Sequence, residues 1–357
     1  MPKTFSEFSN NLIAWYLNNK RAMPWRTTRD PYRIWLSEII LQQTRVEQGL
    51  PYYISFTETF PTVHDLAKAS EEQVLKLWQG LGYYSRARNL HACAQYIVNH
   101  LNGVFPNTYE GLLQLKGVGD YTASAIASIC FNQPTAVVDG NVYRVLSRVF
   151  GIDTPINSTS GKKKFKALAQ QLIDPERPAD FNQALMEFGA IQCKPKNPYC
   201  LHCIFNERCV ALQRNKIPEL PVKLTKLSIK KRYFNYLVFR SVSGETQIQQ
   251  RTQKGIWQGL YEFPLLELKE KEQSVLSDVI RFRKSVYLQK ATQDIRINSI
   301  TRYNDQPYVH KLSHQHLITT FWIVDVLEIP QNGVLWNTIH KYPVPVLISN
   351  FIDTFDF

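Results

Sequence analysis

Residues 115–123 read Leu-Lys-Gly-Val-Gly-Asp-Tyr-Thr-Ala, and this stretch decides the fold of the first half of the chain. Gly117 and Gly119 frame a tight turn, and a helix-compatible run follows from Thr122. Glycine lets the backbone approach a phosphate closely, and the first N–H groups of a helix point outward, where the helix dipole favours an anion. The stretch therefore predicts a turn that grips a phosphate, or else a plain glycine-rich connection between two helices.

The two hundred residues around this turn have the pattern of a helical body. Asp30 and Pro31 form an N-cap and a first-turn proline, and an apolar face continues through Ile34 and Leu41. Short connections between amphipathic helices indicate a compact all-α domain. Further helices are predicted at residues 70–77, 87–100, 122–129 and 165–173.

The composition changes beyond residue 211. Seven basic residues, one acid and two prolines lie between residues 211 and 232, and they predict a basic linker at 216–232. Strand-forming residues follow at 233–240, and residues 245–251 are expected to return antiparallel to them after a turn. Residues 317–327 predict another strand, so the segment 233–357 is interpreted as an α+β domain.

The chain is strongly basic. Its 357 residues include 42 lysines and arginines against 30 aspartates and glutamates, a net charge of +12. Such a balance is a weak indication of a polyanionic partner, because phosphate neutralisation drives non-specific nucleic-acid binding. There is no signal-like N-terminus and no apolar run of the ~18 residues that a membrane helix needs. We therefore expect no membrane association and a cytoplasmic protein with reduced thiols.

Four cysteines lie within seventeen residues with the spacing C-x6-C-x2-C-x5-C: Cys193, Cys200, Cys203 and Cys209. In a reducing compartment a group this tight predicts metal ligands. Zinc sites usually place their ligands as two close pairs, whereas only Cys200 and Cys203 form such a pair here. The spacing therefore favours a loop around a 4Fe–4S cluster, with zinc or free structural thiols as the alternatives.

Two acids stand in settings that suit chemistry. Glu38 is surrounded by large apolar residues in 34–41, where burial would raise its pKa and suit a general acid. Alternatively, Glu38 lies on the exposed polar stripe of a helix. Asp139 precedes Gly140 and is expected to cap a helix; a carboxylate oriented by that cap can also serve a glycosidic-bond enzyme.

These motifs resemble those of the endonuclease III superfamily of DNA glycosylases. Residues 115–123 are similar to its helix-hairpin-helix motif, and the cysteine spacing resembles its iron-sulfur loop. Residues 35–44 (WLSEIILQQT) resemble a block of the MutY-type adenine DNA glycosylases within this superfamily. The same family is matched by PWR at 24–26, GLGYYSRAR at 80–88, VDGNV at 138–142 and NQALME at 182–187.

The resemblance implies a helical glycosylase domain at 1–215, with a six-helix barrel lobe at about 22–130 and an iron-sulfur lobe formed by the N-terminal helix and 131–215. It implies that Glu38 protonates adenine at N7 and that Asp139 faces the oxocarbenium-like sugar. Tyr121 and Asn141 match polar groups that set the geometry of the two carboxylates. Because bifunctional relatives carry a lysine at the position of Tyr121, we expect base removal without strand cleavage.

The resemblance also implies that a monomer binds double-stranded DNA carrying adenine opposite 8-oxoguanine or guanine. Gln43 and Tyr83 match residues that wedge into the duplex beside 8-oxoguanine, and Arg26 matches one that lines the adenine pocket. The glycine turn is expected to share a monovalent cation with the DNA phosphate. The other implied DNA contacts are Gln42, Thr44, Leu81, Arg86, Gly117, Val118 and Gly119.

Residues 257–264 (WQGLYEFP) resemble a segment of the MutT-like (Nudix) domain of the same enzymes. The REx2EE metal box of a Nudix hydrolase is not found at 265–280, so the domain 233–357 is expected to recognise the lesion or only to pack on the first domain. Ser313 and His314 match the lesion-reading loop, in which the serine tells 8-oxoguanine from guanine. Leu312 stands where the family usually has phenylalanine, so softer discrimination is expected. A metal site at the histidines 310, 314 and 316 is the alternative.

The expected function is that of an adenine-specific DNA N-glycosylase of base excision repair. Two alternatives stay open at this point. One is a glycosylase directed at thymine or uracil in mismatches, and the other is a non-enzymatic DNA-binding protein with a structural zinc site.

Overall fold

The computed structural model describes residues 3–224, 229–270, 272, 295–329 and 333–357, with side chains from residue 6 onward. The chain divides into two compact units. Unit 1 comprises Met1–Lys68 and Asn89–Lys226, and unit 2 comprises Ala69–Arg88 and Leu227–Phe357. In the part of the chain that the structure describes, no helix has both the length and the apolar character needed to cross a bilayer.

The regular secondary structure in the described residues of unit 1 is all helical. Asp30 caps the helix Pro31–Leu41 by accepting from the N–H of Tyr32, and Pro31 occupies the first turn, as the sequence predicts. The predicted helices at 87–100, 122–129 and 165–173 are also confirmed. The helices that lie mainly in this unit, numbered in chain order, are α1 (Lys3–Asn19), α2 (Pro31–Leu41), α3 (Val46–Thr59), α4 (Val63–Lys68), α6 (Ser85–Leu101), α7 (Tyr109–Leu113), α8 (Asp120–Phe131), α9 (Gly140–Phe150), α10 (Thr159–Leu172), α11 (Pro178–Glu187) and α12 (Val210–Gln213).

One hydrophobic core of unit 1 lies between α1, α9, α10 and α11. Leu12, Val145, Phe165 and Phe181, one from each of these helices, are fully buried in it. Burial of an apolar side chain of this size contributes ~1.5–3 kcal/mol relative to exposure. This packing fixes the start of α9, which follows Asp139 directly, against α11.

Both ends of the segment predicted as a basic linker belong to the folded units. The N–H of Ile156 donates to the carbonyl of Val222 at 3.0 Å, and the Asn157 side chain exchanges hydrogen bonds with the backbone of Leu224. On the other side, the first strand begins at Lys230. Residues 225–228 lie outside the described residues. A basic composition indicates exposed side chains, and it says nothing about whether the backbone between them is paired.

Unit 2 combines helices and sheets, which confirms the predicted α+β class. Its helices include α5 (Glu71–Leu77), which matches the prediction at 70–77, and α13 (Val346–Thr354). The strands are β1 (Lys230–Ser241), β2 (Glu245–Gln247), β3 (Gln249–Gln250), β4 (Tyr261–Glu262), β5 (Leu265–Leu268), β6 (Ile297–Arg302), β7 (Tyr308–Lys311), β8 (Gln315–Val326) and β9 (Gly333–Leu335). The main sheet has the strand order β5-β1-β8-β6, with β7 also paired to β8. In this sheet β1 and β8 are parallel and the other pairs are antiparallel.

The expected hairpin between residues 233–240 and 245–251 is wrong. Residues 245–251 contain two short strands, of which β2 pairs with β9 and β3 with β4. Instead, β8 pairs with one edge of β1 along its whole length, and β5 pairs with the other edge at residues 233–236. The reason lies in the continuous burial of residues 234–239. An uninterrupted apolar run is typical of a central strand, whereas a strand exposed on one face alternates apolar and polar residues.

The core of unit 2 lies on the central strands. Leu237 and Phe239 of β1 pack with Trp322 and Val324 of β8, and all four side chains are fully buried. Residues 271 and 273–280 belong to the stretch in which the Nudix metal box was sought, and they lie outside the described residues.

Candidate active site

Glu38 lies in the buried part of α2. Every residue from 34 to 40 is buried, and Glu38 itself is 9% exposed. This burial excludes the alternative of an acid on an exposed polar stripe. Desolvation raises the pKa of Glu38 to about 7; a hydrogen bond with Tyr121 opposes the shift, and the charge of Asp139 adds to it. The carboxyl group can therefore hold a proton near neutrality and donate it.

Asp139 is the N-cap of α9, as the sequence predicts. Its Oδ1 accepts from the N–H groups of Asn141 and Val142 at 2.9 and 2.8 Å, and its Oδ2 accepts from the Asn141 side chain at 2.8 Å. Burial raises the pKa of Asp139, while these N–H donors and the Arg144 guanidinium act in the opposite direction. The cap directs the carboxylate and supplies donors that favour its ionised form.

The two acids line the same pocket in unit 1, which has a volume of about 200 Å³. Tyr121 of α8 and Asn141 of α9 line it with them. Burial and the charges of both acids raise the pKa of the Tyr121 hydroxyl well above its usual value, so the hydroxyl stays protonated and able to donate. All four residues predicted to be catalytic thus meet in one cavity.

Arg26 and Thr44, two of the predicted DNA contacts, line this pocket as well. Arg26 is held by Glu187, whose side chain is only 1% exposed. The two oxygens of Glu187 accept five N–H groups, three from Arg21 and two from Arg26, at 2.8 to 3.2 Å. Although burial opposes ionisation, these hydrogen bonds lower the pKa of Glu187 to about 2. One wall of the pocket is therefore a preformed ionic cluster.

The glycine turn has the geometry of a close-approach site. Gly117 has φ +80°, and a Cβ at this position would lie 2.8 Å from Cβ of Asn89. Both the left-handed backbone and the lack of space therefore require glycine here. Gly119 is the N-cap of α8, and a Cβ built there points into open space. Because Gly119 has no side chain, a phosphate can approach the first N–H groups of α8. Val118, between the glycines, is 6% exposed.

Two residues predicted to wedge into the duplex have left-handed backbones. Gln43 in unit 1 has φ 57° and Tyr83 in unit 2 has φ 47°, and both side chains are exposed. Non-glycine residues rarely adopt this conformation, and where it occurs it often marks a functional position. Next to Gln43, the Gln42 side chain donates to Thr122 Oγ1 at 3.2 Å. Gln42 is therefore tied to α8, close to the glycine turn.

Unit 2 contains a second pocket, of about 380 Å³, lined by Tyr83 and by the predicted lesion-reading residues Leu312, Ser313 and His314. The hydroxyl groups of Tyr83 and Ser313 lie 2.5 Å apart. These residues are 230 positions apart in the chain, and folding brings them into direct contact. Trp257 also lines this pocket, with a left-handed φ of 60°.

The other two predicted DNA contacts in this unit, Arg86 and Leu81, are both largely buried. The Arg86 guanidinium lies 5.6 Å from the Tyr83 ring and 5.1 Å from the Trp78 ring, and burial lowers the pKa of Arg86 to about 10. Leu81 is 6% exposed. Its side chain therefore packs inside the unit and offers little surface to DNA.

One apolar cavity in unit 1 is lined by all four clustered cysteines: Cys193, Cys200, Cys203 and Cys209. None of them forms a disulfide. The N–H of Phe205 donates to Cys203 Sγ at 3.4 Å, and Arg148 Nη1 lies 3.5 Å from Cys193 Sγ, so two of the sulfurs face hydrogen-bond donors.

Within the described residues, no three His, Cys, Asp or Glu side chains are grouped closely enough to hold one metal ion. A zinc ion draws all its ligands to one centre, whereas a 4Fe–4S cluster has four irons to share among four thiolates. Four thiols around one cavity match the donor set of a 4Fe–4S cluster, which has one iron for each thiolate, and the same donor set can hold zinc.

Comparisons with known proteins agree with this architecture. The family model of HhH-GPD superfamily base excision DNA repair proteins matches residues 36–175, and the model of the NUDIX domain matches residues 235–354. An adenine DNA glycosylase of Buchnera aphidicola subsp. Baizongia pistaciae is 33% identical over 319 residues, which cover 89% of this chain and 86% of that protein. The chain belongs to the adenine DNA glycosylase family.

Mammalian members of the adenine DNA glycosylase family are more similar over a shorter region. Those of Mus musculus and Homo sapiens are 50% and 49% identical over 216 residues, which cover 58% of this chain and 42% and 40% of the mammalian proteins. The chain thus spans about two fifths of the length of these relatives.

Solved structures resemble the helical part of the chain. A thermostable thymine-DNA glycosylase has a TM-score of 0.55 at 31% identity and covers 59% of this chain and 98% of its own. A non-covalent endonuclease III–DNA complex has a TM-score of 0.52 at 20% identity, covering 60% of this chain and 98% of its own. The latter shows a shared fold. The predicted family and the combination of a helix-hairpin-helix glycosylase fold with a Nudix-like domain are confirmed.

Several residues of the site escaped the sequence analysis. Glu187 was noted only as the end of a family motif, and its partner Arg21 was not singled out. Arg144 was also missed: its guanidinium donates to Asn141 Oδ1 at 2.9 Å and to the carbonyls of Gly189 and Cys193 at 2.7 and 2.8 Å. The available signal was two arginines spaced by four, residues 144 and 148, in a mostly apolar stretch of a predicted helix.

Proposed function

We propose that this protein removes adenine from double-stranded DNA by hydrolysing the N-glycosidic bond. Adenine opposite 8-oxoguanine is the preferred substrate, and adenine opposite guanine is used less efficiently. The protein acts as a monomer. The observation that carries the proposal is the buried pair of Glu38 and Asp139 in one pocket, the former with a pKa of about 7 and the latter held by three N–H donors.

The roles of the two acids follow from their surroundings. Protonated Glu38 donates its proton to N7 of an adenine that has left the base stack, which makes the base a better leaving group. The bond between C1′ and N9 breaks, and the ionised carboxylate of Asp139 stabilises the positive charge that develops on the sugar. Water adds to C1′ and releases a proton, which replaces the proton that Glu38 gave to the base. Tyr121 and Asn141 hold the two carboxyl groups in place.

The chemistry stops at base removal. Strand cleavage by a bifunctional glycosylase needs an amine that attacks the sugar and forms a Schiff base. Within the described part of the chain, the pocket is lined by no lysine; its basic residues are Arg21 and Arg26. Arginine stays protonated and is no nucleophile. An abasic site with an intact strand is therefore the expected product.

The experiment that tests this proposal is single-turnover base release from short duplexes with A opposite 8-oxoguanine, A opposite G, A opposite T and T opposite G. We expect base loss from the two adenine mispairs only, with strand breaks appearing after alkali treatment alone. Release from T opposite G would support a thymine-directed enzyme. No release from any duplex by folded protein would support a non-enzymatic DNA-binding protein.

The rate of adenine release should fall as the pH rises through about 7, because Glu38 acts as an acid and its raised pKa is about 7. Below this pH the carboxyl group is protonated and active, and above it the proton is lost. The profile is best measured as kcat/KM, which reports the pKa values of the free enzyme. A rate that stays constant across neutrality would contradict the role of Glu38.

Unit 2 is proposed to read the base opposite adenine. The support is the pocket that joins Tyr83 to Ser313 and Leu312, where an exposed ring on a left-handed backbone stands beside a hydroxyl group that can donate or accept. A hydroxyl group is suited to distinguishing bases that differ in donors and acceptors.

Leu312→Phe should increase the ratio of the excision rates opposite 8-oxoguanine and opposite guanine, by about threefold to tenfold. A phenyl ring stacks on a neighbouring base with ~1–3 kcal/mol, which an isobutyl group does not supply. Parallel single-turnover measurements on the two duplexes provide the ratio. An unchanged ratio would show that another side chain already fills this role.

The four cysteines are proposed to hold a 4Fe–4S cluster. When bound, the cluster ties residues 193–209 together through four iron–thiolate bonds, and Arg148 offers a compensating positive charge. Purified protein should be brown, absorb in the visible range and contain about four irons per chain. A colourless protein that contains zinc would refute the cluster.

A further inference from the structure

The extended segment that leads into Asp139 is held by side chains. Gln170 of α10 donates to the carbonyl of Pro134 and accepts from the N–H of Ala136, at 2.6 and 3.0 Å. Asn182 of α11 donates to the carbonyl of Thr135 at 2.8 Å and accepts from the N–H of Val137 at 3.0 Å. Because backbone polar groups need partners, these contacts set the path of the segment.

The carbonyl of Ala136 accepts from Lys166 Nζ at 2.7 Å. The same ammonium donates to Asp120 Oδ1 at 2.7 Å and to Ser124 Oγ at 2.9 Å, so its three N–H groups all have acceptors. Asp120 and Ser124 lie on the first two turns of α8, which begins at the glycine turn and carries Tyr121. Lys166 therefore bridges the start of α8 and the segment that ends at Asp139.

Asp120 gives this bridge an electrostatic role. It is the first residue of α8, and its side chain is 51% exposed. A carboxylate interacts favourably with the helix dipole at this position, but it repels a DNA phosphate that approaches the glycine turn. The Lys166 ammonium at 2.7 Å offsets that negative charge, and the Tyr109 hydroxyl donates to the same oxygen at 2.6 Å.

We propose that Lys166 is a positioning residue that compensates the charge of Asp120 at the glycine turn and holds the carbonyl of Ala136, so that phosphate binding and the placement of Asp139 depend on one side chain. The proposal rests on the proposed function, because it takes the turn as the phosphate site and Asp139 as the carboxylate facing the sugar. Lys166 itself contacts neither the base nor the sugar.

The test is the substitution Lys166→Met, which removes the ammonium and keeps the aliphatic stem. We expect the single-turnover rate at saturating enzyme to fall about tenfold, because a small displacement of a catalytic group is costly. We also expect DNA affinity to fall about fivefold, since Asp120 is then uncompensated. Adding Asp120→Asn to Lys166→Met should restore the affinity and leave the rate low. A general loss of stability would lower both quantities and would not be rescued by the second substitution.

The matched control is Lys163→Met, which removes the same charge from an exposed position one turn earlier on α10. It should change rate and affinity by less than about twofold. Equal effects of Lys163→Met and Lys166→Met, or parent-like behaviour of Lys166→Met, would overturn the proposal.

If Lys166→Met does not fold, the variant Asp120→Asn tests the proposal by itself. We expect it to bind DNA more tightly than the parent does, and unchanged or weaker binding would overturn the proposal. An inactive parent protein would refute the proposed function instead. The affinities of the single and double variants would then still test the charge compensation.

Discussion

Replacing Glu38 by glutamine should reduce the rate of adenine release by roughly 10²–10⁴-fold, the range over which a positioned general acid contributes. Glutamine has nearly the same shape and keeps a hydrogen-bonding group next to Tyr121, but its amide does not protonate N7. DNA affinity should stay within about threefold of that of the parent, because Glu38 is buried in the pocket and offers little surface to a bound duplex. Single-turnover excision and a binding titration on the same duplex measure the two quantities.

Glu58→Gln is the matched control for this variant. Glu58 is an exposed acid on α3, so the substitution removes the same charge outside the pocket. Its excision rate should equal that of the parent. A Glu38→Gln protein that retains most of its activity would remove Glu38 from the mechanism, and the pH dependence would then need another acid.

Replacing Asp139 by asparagine should reduce the rate by roughly 10²–10³-fold, the typical cost of removing one group that stabilises charge in the transition state. The variant separates the two roles of this residue. Asparagine caps a helix about as well as aspartate, so the N–H groups of Asn141 and Val142 keep an acceptor and the fold should be retained. What is lost is the negative charge that is proposed to face the sugar. Thermal unfolding and single-turnover excision, measured together, test both statements.

Asp30→Asn provides the comparison, because Asp30 also caps a helix, α2, and does not line the pocket. It should leave the excision rate unchanged. A third variant, Asp139→Ala, should lose the cap as well and be less stable by ~1 kcal/mol. If Asp139→Asn is as active as the parent, the carboxylate serves only as a helix cap. Asp139 would then have no role in catalysis, although it lines the same pocket as Glu38.

Much of the site was predictable because its key residues carry local signals. The cap role of Asp139 depends on the residues that follow it, and the phosphate-compatible turn depends on two glycines separated by one residue. The apolar surroundings of Glu38 also suggested a raised pKa. Whether Glu38 was buried or exposed was undecided, because a helix with apolar residues on nearly every side has no polar stripe to compare with.

The parts that escaped prediction depend on residues far apart in the chain. Arg26 and Glu187 are 161 residues apart, and only the packed structure places five N–H groups around one carboxylate. The strand partners of β1 were wrong for a related reason. A hairpin is the simplest arrangement of two neighbouring strands, but β1 is central, and its partners β5 and β8 come from later in the chain.

The amino-acid sequence by itself determined the family, the helical first half, the α+β second half and the cysteine spacing that favours an iron-sulfur cluster. Each of these depends on motifs or periodicities that a short stretch contains. Only the tertiary structure decided that Glu38 is buried beside Asp139, that Tyr83 contacts Ser313 and that Lys166 connects Asp120 to Ala136. Burial and long-range contacts are properties of packing, and packing depends on how distant segments fit together.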